Sequence, residues 1–269
     1  MWNIWKTEWR VTVRQRSYYS ILILWIAVLT LLLILQRSND AVAGYTNITG
    51  TIVNIMLYII PLFMLIFGAF SIANEKENGQ WRLLRTYPLE TGDYLIGKLG
   101  GQFTAQTIVF SLAYWISMII GLLTGIEITL NWMLLLYMFS ILLIFFFITL
   151  GILVGSFVKT RWQALTMAVG AWFFLIMIWP TALIALLGLL PYQWIGILMK
   201  IALIINPAEF LRFFLVVRLD GASIFGQSYD VLIPMFKAGA AWGVLFLYAL
   251  VFFIITAGIS IWILNRRER

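Results

Sequence analysis

Six long apolar stretches with almost no charge in their interiors dominate the hydropathy pattern of this chain. Each is long enough to cross a hydrocarbon core of about 30 Å, which takes roughly 20 helical residues. The runs are continuous rather than alternating, so they predict helices and not the strands of a barrel. The pattern therefore predicts an all-α polytopic membrane protein with six transmembrane helices, at Tyr18–Leu35, Ile52–Ala73, Gln102–Leu123, Trp132–Val158, Leu165–Leu190 and Ala238–Leu264.

Little sequence remains outside these stretches, which predicts a single membrane domain over residues 1–269. Hydrophobic residues make up 63% of the chain, whereas a soluble domain has about 45–50%. The small residues Ala41 and Ala43 follow the first apolar run and suggest a signal-peptidase site. That run has about 18 residues, longer than the roughly 7–15 of a signal-peptide core. We therefore interpret the first stretch as an uncleaved span.

The residues before the first span, 1–17, have the pattern of a helix that lies in the membrane interface. Three indoles and a valine share one helical stripe at roughly 100° per residue, and polar side chains fall away from it. The stripe contains Trp2, Trp5, Trp9 and Val13, and the polar side includes Arg10 and Arg14. Indoles at headgroup depth and arginines toward anionic lipid are typical of such helices. The helix is either an elbow that positions the first span or a simple anchor.

The most polar segment, residues 74–98, lies between the second and third spans. Gly79 breaks the helix that continues from the second span, and Gln80–Thr86 forms a short amphipathic piece. Pro88 ends that piece, because proline disfavours helix in the residue before it. A second short helix, Thr91–Lys98, leads into the third span. The pattern predicts a compact helix-turn-helix projection at the inner face of the membrane.

The segment between the fifth and sixth spans, residues 191–234, is longer than a simple turn. Asn206, Pro207 and Glu209 have the chemistry of a helix start, with a side-chain cap, a first-turn proline and an acidic residue three positions after the cap. The helix that follows, Phe210–Leu219, carries Arg212. We predict two short helices at the outer interface. They form either a plain connection or an outer gate or docking site for an extracytoplasmic partner, at Asn206, Pro207, Glu209 and Arg212.

Small residues recur in the fourth and sixth spans at positions that allow close helix packing. Gly151 and Gly155 are four residues apart in the fourth span, and the sixth span opens with a run of alanine and glycine at 238–243. A seam between two copies of the chain at either place is one interpretation of this pattern.

The charge distribution predicts how the chain lies in the membrane. If the N-terminus is cytoplasmic, most of the 18 lysines and arginines fall on the inner side. This positive-inside pattern places both termini in the cytoplasm of a bacterial or archaeal cell, with the chain in the cell membrane. The net charge of +7 could also suggest nucleic acid, but the basic residues form no concentrated face, so we expect no nucleic-acid partner and expect contact with membrane lipids.

The composition excludes several kinds of chemistry. Cysteine and histidine are both missing from the sequence, which removes disulfides, thiolate chemistry and the commonest metal ligand. We interpret the ten methionines, mostly within spans, as packing residues. The central parts of the spans carry no aspartate, glutamate, lysine, arginine or histidine, and this argues against ion-coupled transport and intramembrane hydrolysis. We expect no catalytic residue and no cofactor or metal bound by this chain.

One partial motif resembles a phosphate-binding loop. Gly92, Gly97 and Lys98 match its first seven positions, but Leu99 stands where serine or threonine must hold Mg²⁺. No buried strand precedes these residues, and an apolar span follows almost at once. If the protein uses ATP, we expect a different chain to hydrolyse it.

Residues 74–98 resemble the cytoplasmic coupling region of permeases of the ABC-exporter type-2 superfamily. Those permeases have an acidic pair, a glycine, a leucine-rich turn, a proline and a Gly-Lys pair before the third span. The matching positions here are Glu75, Glu77, Gly79, Leu83, Leu84, Pro88, Gly97 and Lys98. Gln80 departs from the family, which often has threonine or serine there. The stretch 206–212, followed by Gly221 and Phe225-Gly226, is similar to the permeases that serve nitrous-oxide reductase maturation.

The resemblance implies a mechanism. Two permeases would pair as a homodimer, and two cytoplasmic ABC ATPase subunits, which carry the ATP and Mg, would bind beneath them. Closure of the ATPases would press on residues 74–98, and a rigid helical lever would pass the motion to the second and third spans. The leucines at 83 and 84 would enter a groove of the ATPase. The charged residues would orient the lever or satisfy helix ends, and they are Glu75, Glu77, Arg82, Arg85 and Lys98.

The implied function is therefore the permease subunit of an exporter, or of a machine that drives an extracytoplasmic maturation process. Two alternatives remain open from the sequence: a non-transporting scaffold that relays ATPase motion to an extracytoplasmic partner, and an ion-coupled carrier. An aromatic, apolar interior is equally consistent with lipids, peptides or no cargo.

Overall fold

The computed structural model describes residues 2–14, 16–36, 47–84, 90–125, 129–189, 191–225, 229 and 232–266, and within these ranges the chain is helical without strands. The all-α prediction is thereby confirmed. The helices are α1 (Trp2–Arg14), α2 (Arg16–Gln36), α3 (Asn47–Glu77), α4 (Gln80–Leu84), α5 (Thr91–Leu123), α6 (Leu130–Phe157), α7 (Arg161–Trp172), α8 (Trp179–Leu189), α9 (Tyr192–Ile205), α10 (Pro207–Arg218), α11 (Ile233–Lys237) and α12 (Ala241–Arg266).

Five of the predicted spans are present as helices that are individually long and apolar enough to cross a membrane. They are α3, α5, α6, the rod that α7 and α8 form together, and α12. The first predicted span is α2, which has 21 residues and meets α1 at a bend of 69°. α9 and α10 meet at 105°. Counting each bent pair as one span gives up to seven, so the polytopic architecture is confirmed and the number six stays a prediction.

The helix that enters the third span differs from the sequence prediction. A separate helix was expected at Thr91–Lys98, but α5 is one continuous helix of 33 residues. Glycines at 100 and 101 do not interrupt it, because α1 packs directly against them. A Cβ added to Gly101 would lie 2.7 Å from the Cβ of Glu8. The glycines therefore serve close helix packing, and the short helix predicted at Thr91–Lys98 is the beginning of α5.

α3 and α6 pack backbone against backbone in the centre of the molecule. A Cβ added to Gly68 would lie 2.6 Å from the carbonyl oxygen of Ile148, and one added to Gly151 would lie 2.6 Å from that of Leu65. A Cβ on Gly155 would meet the carbonyl oxygen of Ala69 at 2.7 Å. Small residues permit such approach in membranes. This pair of glycines in the fourth span thus packs within the chain rather than at a seam between copies.

The fifth predicted span is a rod that the rest of the chain hardly covers. It consists of α7, a π-helical segment over Phe173–Ile178, and α8. Only 6% of its apolar window is buried, against 61% for α6. Two side chains attach its middle: the Trp172 indole donates to the carbonyl of Tyr58 at 2.9 Å, and the Asn206 amide donates to the carbonyl of Leu175 at 2.7 Å. Most of the rod's surface therefore faces outward.

We expect Gly151→Ala to destabilise the protein by about 1–3 kcal/mol, the usual cost of overpacking, because the added methyl meets backbone. Gly258→Ala on α12 is the matched control, since a Cβ there meets nothing within 4 Å in the described part of the chain. Where a helical position has room for a methyl group, replacing glycine by alanine stabilises the helix by up to about 1 kcal/mol. Thermal unfolding of both variants in detergent checks the difference, and similar shifts in the two would contradict the packing.

Candidate functional site

A buried lysine joins the middle of α1, the last turn of α3 and the second turn of α5. Lys98 of α5 is 1% exposed. Its ammonium donates to Oε1 of Glu75 on α3 at 2.6 Å and to Oε2 of Glu8 on α1 at 3.1 Å. Both carboxylates are largely buried. Charges withdrawn from water persist only where their partners satisfy them, so these three side chains depend on one another.

Two neutral side chains complete the hydrogen bonding of this group. The Tyr94 hydroxyl donates to Oε2 of Glu75, and the Gln102 amide donates to Oε1 of Glu8 at 2.7 Å. Each carboxylate thus accepts from Lys98 and from one neutral donor. Positions 94, 98 and 102 are four residues apart, which places them on one face of α5. We call Glu8, Glu75, Tyr94, Lys98 and Gln102 the inner polar cluster, after the side of the membrane that the sequence predicts for residues 74–98.

The last turn of α3 is also attached to the connection between α6 and α7. The Lys76 ammonium donates to the carbonyls of Gly155, Ser156 and Val158 at 3.1, 2.8 and 3.2 Å. A cation at a helix C-terminus satisfies free carbonyls and suits the helix dipole. Glu77 accepts from the backbone N–H of Arg161 at 2.6 Å, at the start of α7. Two consecutive side chains therefore fix α3 to the end of one span and the beginning of the next.

The predicted coupling residues occupy three kinds of position. Gly79 has φ 74° and makes the turn between α3 and α4, a conformation that favours glycine. Leu83 is 66% exposed on α4, whereas Leu84 is partly buried against the core. Gly97 is buried within α5. Two of the predicted residues, Arg85 and Pro88, lie outside the described residues, as does the side chain of Arg82.

Glu75 and Lys98 pair with each other within the chain, and their predicted role in orienting the lever or satisfying helix ends stays a prediction. Their partners, chiefly Glu8, were not foreseen from the sequence. The sequence did carry a signal for this pairing, because Glu8 is the lone acidic residue of α1 and Lys98 lies next to an apolar span. The described residues contain no group of three potential metal ligands from histidine, cysteine, aspartate and glutamate. The expectation that this chain binds no metal or cofactor stays a prediction.

The predicted helix start in residues 191–234, the predicted outer segment, is confirmed. Asn206 is fully buried and accepts from the backbone N–H of Ala208 at 3.0 Å, and Pro207 is the first residue of α10. Glu209 pairs with Arg212 at 3.4 Å, and both keep some exposure. A partner that binds at this segment therefore reaches Glu209 and Arg212, while Asn206 and Pro207 act by building the helix and holding the rod.

α10 belongs to the core. Phe210, Phe213 and Phe214 are buried and make ring contacts with Phe236 of α11 and with aromatic side chains of α12. At its end, the Arg218 guanidinium donates to the carbonyl of Ala238 at 2.9 Å. The outer segment is thus a packed unit that joins α6, α11 and α12.

Tyr229 lies between the charged pair of α10 and this aromatic core. Its ring is 5.1 Å from that of Phe213. Burial raises the pKa of the Tyr229 hydroxyl, and the charge of Glu209 raises it further while Arg212 opposes this. Tyr229 therefore stays neutral at physiological pH.

Comparison with known proteins gives two kinds of match. A family model described as "ABC-2 family transporter protein" matches residues 2–269. The chain is also 28% identical over 243 residues to the "Probable ABC transporter permease protein NosY" of Stutzerimonas stutzeri, covering 86% of each chain. It is 26% identical over 264 residues to the protein of the same name from Pseudomonas aeruginosa, covering 93% of each.

Lys98→Met should destabilise the fold by about 3–5 kcal/mol, because it leaves the carboxylates of Glu8 and Glu75 buried without a counter-charge. Arg161→Met is the matched control. It removes the half-exposed partner of Glu77, a pair 3.9 Å apart, while keeping the backbone bond, and should cost less than about 1 kcal/mol. Unfolding in detergent compares them, and an Lys98→Met variant as stable as the control would show that the cluster does not hold the helices.

Proposed function

This chain belongs to the ABC-2 family of transporter proteins, and from that premise we propose that it is the permease of an ATP-driven exporter whose ATP is hydrolysed by separate cytoplasmic subunits. One observation supports this above the others: the inner polar cluster ties the helices on both sides of residues 74–98 to each other and to α1. Force applied to that segment would move α1, α3 and α5 together. The incomplete phosphate-binding motif at Gly92–Lys98 agrees with hydrolysis elsewhere.

The ATPase contact would lie on α4. Leu83 is 66% exposed there, and a large apolar side chain on a polar surface segment is a natural anchor for a partner. Gly79 sets the angle of α4 to α3, and Trp81 packs edge-on against Tyr94 with ring centroids 4.7 Å apart. Pressure on Leu83 would therefore reach Tyr94 and the inner polar cluster within one layer of side chains.

The same motion would extend to the fourth and fifth spans. Lys76 and Glu77, next to the cluster, grip the end of α6 and the start of α7. Glycine contacts join the C-terminal halves of α3 and α6. We infer that α3 and α6 move as one body, with α5 and α1 attached through Lys98.

Two copies would pair through the rod that α7 and α8 form. Its apolar window is hardly covered within one chain, and Gly170 and Gly188 are open, since a Cβ added to either would have none of the described atoms within 4 Å. Small residues on an uncovered face let a second helix approach closely. A homodimer would bring two coupling segments beneath one membrane unit, one for each of two ATPases.

In a second candidate function, the chain transports no cargo and its ATP-driven motion acts on a partner. One observation favours this function. α10 packs against α6, and Lys76 binds carbonyls at the C-terminal end of α6. A continuous body therefore runs from the coupling segment to Glu209 and Arg212. The chain would then relay ATPase motion to an extracytoplasmic partner, such as the assembly of nitrous-oxide reductase, a copper enzyme. The similarity to the NosY permeases supports this assignment.

The contact on α4 is tested with Leu83→Asp. We expect loss of co-purification with the ATPase and loss of ATP-driven activity, because a carboxylate would be buried in an apolar groove. Gln80→Asp adds the same charge to the same exposed helix and should leave both largely intact. Pull-down and ATPase assays on the reconstituted complex measure the effect, and normal assembly by Leu83→Asp would remove the proposed contact.

The relay is tested at the outer end with Arg212→Glu. Because it reverses a partly exposed charge outside the coupling segment, we expect ATPase binding to be kept and the copper content of nitrous-oxide reductase to fall in cells that carry the variant. Lys237→Glu, at another exposed outer cation, is the control. If nitrous-oxide reductase keeps its copper with both variants and cargo transport in proteoliposomes is intact, the result favours an exporter without a relay.

A further inference from the structure

A cavity of about 650 Å³ lies between the inner ends of α1, α2, α3 and α5, beside the inner polar cluster. Its lining changes character along one face of α3. Asn78, Asn74 and Ser71 line it toward the inner end of that helix, and Phe70 and Phe67 line it farther into the span. The cavity is therefore polar at one end and apolar at the other.

Three buried polar atoms in this lining lack a hydrogen-bond partner among the described residues: Oγ of Ser71, Oδ1 of Asn74 and Oε1 of Gln102. Ser71 and Gln102 are each only 8% exposed. Buried polar groups are almost always paired, because an unpaired one loses its hydrogen bonds to water without replacement. The two amide oxygens can only accept, and the serine hydroxyl can accept as well. The cavity thus offers acceptors to a guest that donates.

The charge of the lining points to a cation. The charged side chains that the structure describes around the cavity are Glu8, Glu75 and Lys98, so their formal charges add to −1. An anionic guest would meet two carboxylates and compete with them for Lys98. A cationic guest would balance the remaining negative charge.

An ammonium fits this lining better than a metal ion does. A primary ammonium has three N–H donors, which equals the number of unpaired acceptors in the described lining. Calcium and magnesium take six or more oxygens at about 2.0–2.6 Å, whereas the carboxylates of Glu8 and Glu75 already accept from Lys98, Tyr94 and Gln102. The apolar end is walled by Tyr18, Ile21 and Phe67 and suits hydrocarbon.

We propose that this cavity binds the primary ammonium group of a ligand, with the N–H groups on Ser71, Asn74 and Gln102 and any attached hydrocarbon against the apolar end. This site goes beyond the proposed coupling to an ATPase and does not depend on it. The ammonium can come from an aminophospholipid headgroup or from a soluble amine.

The test compares two lipids that differ in N–H donors. The full-length chain is placed in nanodiscs of phosphatidylcholine with or without added phosphatidylethanolamine, and thermal unfolding and lipid adducts in native mass spectrometry are measured. We expect phosphatidylethanolamine to raise the unfolding temperature and to be retained preferentially. Soluble ethanolamine is the second arm. Stabilisation by ethanolamine equal to that by the lipid assigns the site to a soluble amine, and stabilisation by the lipid alone assigns it to the membrane.

Two variants connect the binding to the cavity. Ser71→Ala and Asn74→Leu each remove an atom that has no partner among the described residues, so they should not weaken the fold itself. Each should lower the affinity for the ammonium at least about tenfold, the loss expected for one hydrogen bond to a charged group. Ser140→Ala is the control, because its hydroxyl already donates to the carbonyl of Leu136 on α6, away from the cavity.

The proposal is overturned if neither amine is preferred over phosphatidylcholine, or if Ser71→Ala and Asn74→Leu keep the affinity that Ser140→Ala shows. Unfolding midpoints without amine are measured for all three variants. They separate a loss of binding from a loss of stability, since a variant that binds weakly but unfolds like the parent has lost the site alone.

Discussion

Two carboxylates and one ammonium, taken out of water between the middle of α1, the last turn of α3 and the second turn of α5, constrain the rest of the molecule. Lys98 is buried between Glu8 and Glu75, and each partner comes from a different helix. A group of this kind tolerates little separation, because parting it leaves an uncompensated charge in an apolar surrounding. Helices that share it must therefore move together. That constraint is what makes a mechanical role for residues 74–98 physically reasonable.

Much of the architecture could be predicted from the sequence, because a membrane span depends on length and apolarity, which are local properties. The helix start at Asn206 was equally readable, since a cap is made by neighbours in sequence. The continuous α5 was not, because residues 91–98 have the pattern of a separate short helix, and the packing of α1 on Gly100 and Gly101 joins residues distant in sequence. The inner polar cluster was missed for the same reason. Glu8 and Lys98 lie 90 positions apart, and only the fold brings them together.

The two ends of the molecule are built differently. Charged groups organise the inner end, where Lys76 and Glu77 join helices in addition to those that Lys98 holds. Aromatic rings organise the outer end, where α10 is wedged among α6, α11 and α12. The π-helical segment between α7 and α8 contains Leu175, whose carbonyl accepts a hydrogen bond from the Asn206 amide. Such π segments often occur at functional positions. Asn206, at the start of α10, thus attaches to the rod within the rod's π-helical segment.

The separation of Glu8 and Lys98 along the chain has a consequence for biogenesis. A ribosome adds about 5–20 residues per second, and the two residues are 90 positions apart, so the carboxylate leaves the ribosome on the order of 5–20 seconds before its ammonium. The amino-terminal helix cannot settle until the third span has entered the bilayer. A nascent chain that stalls earlier would display an unneutralised acid at the membrane surface, a mark by which quality-control proteases could distinguish it from a finished subunit.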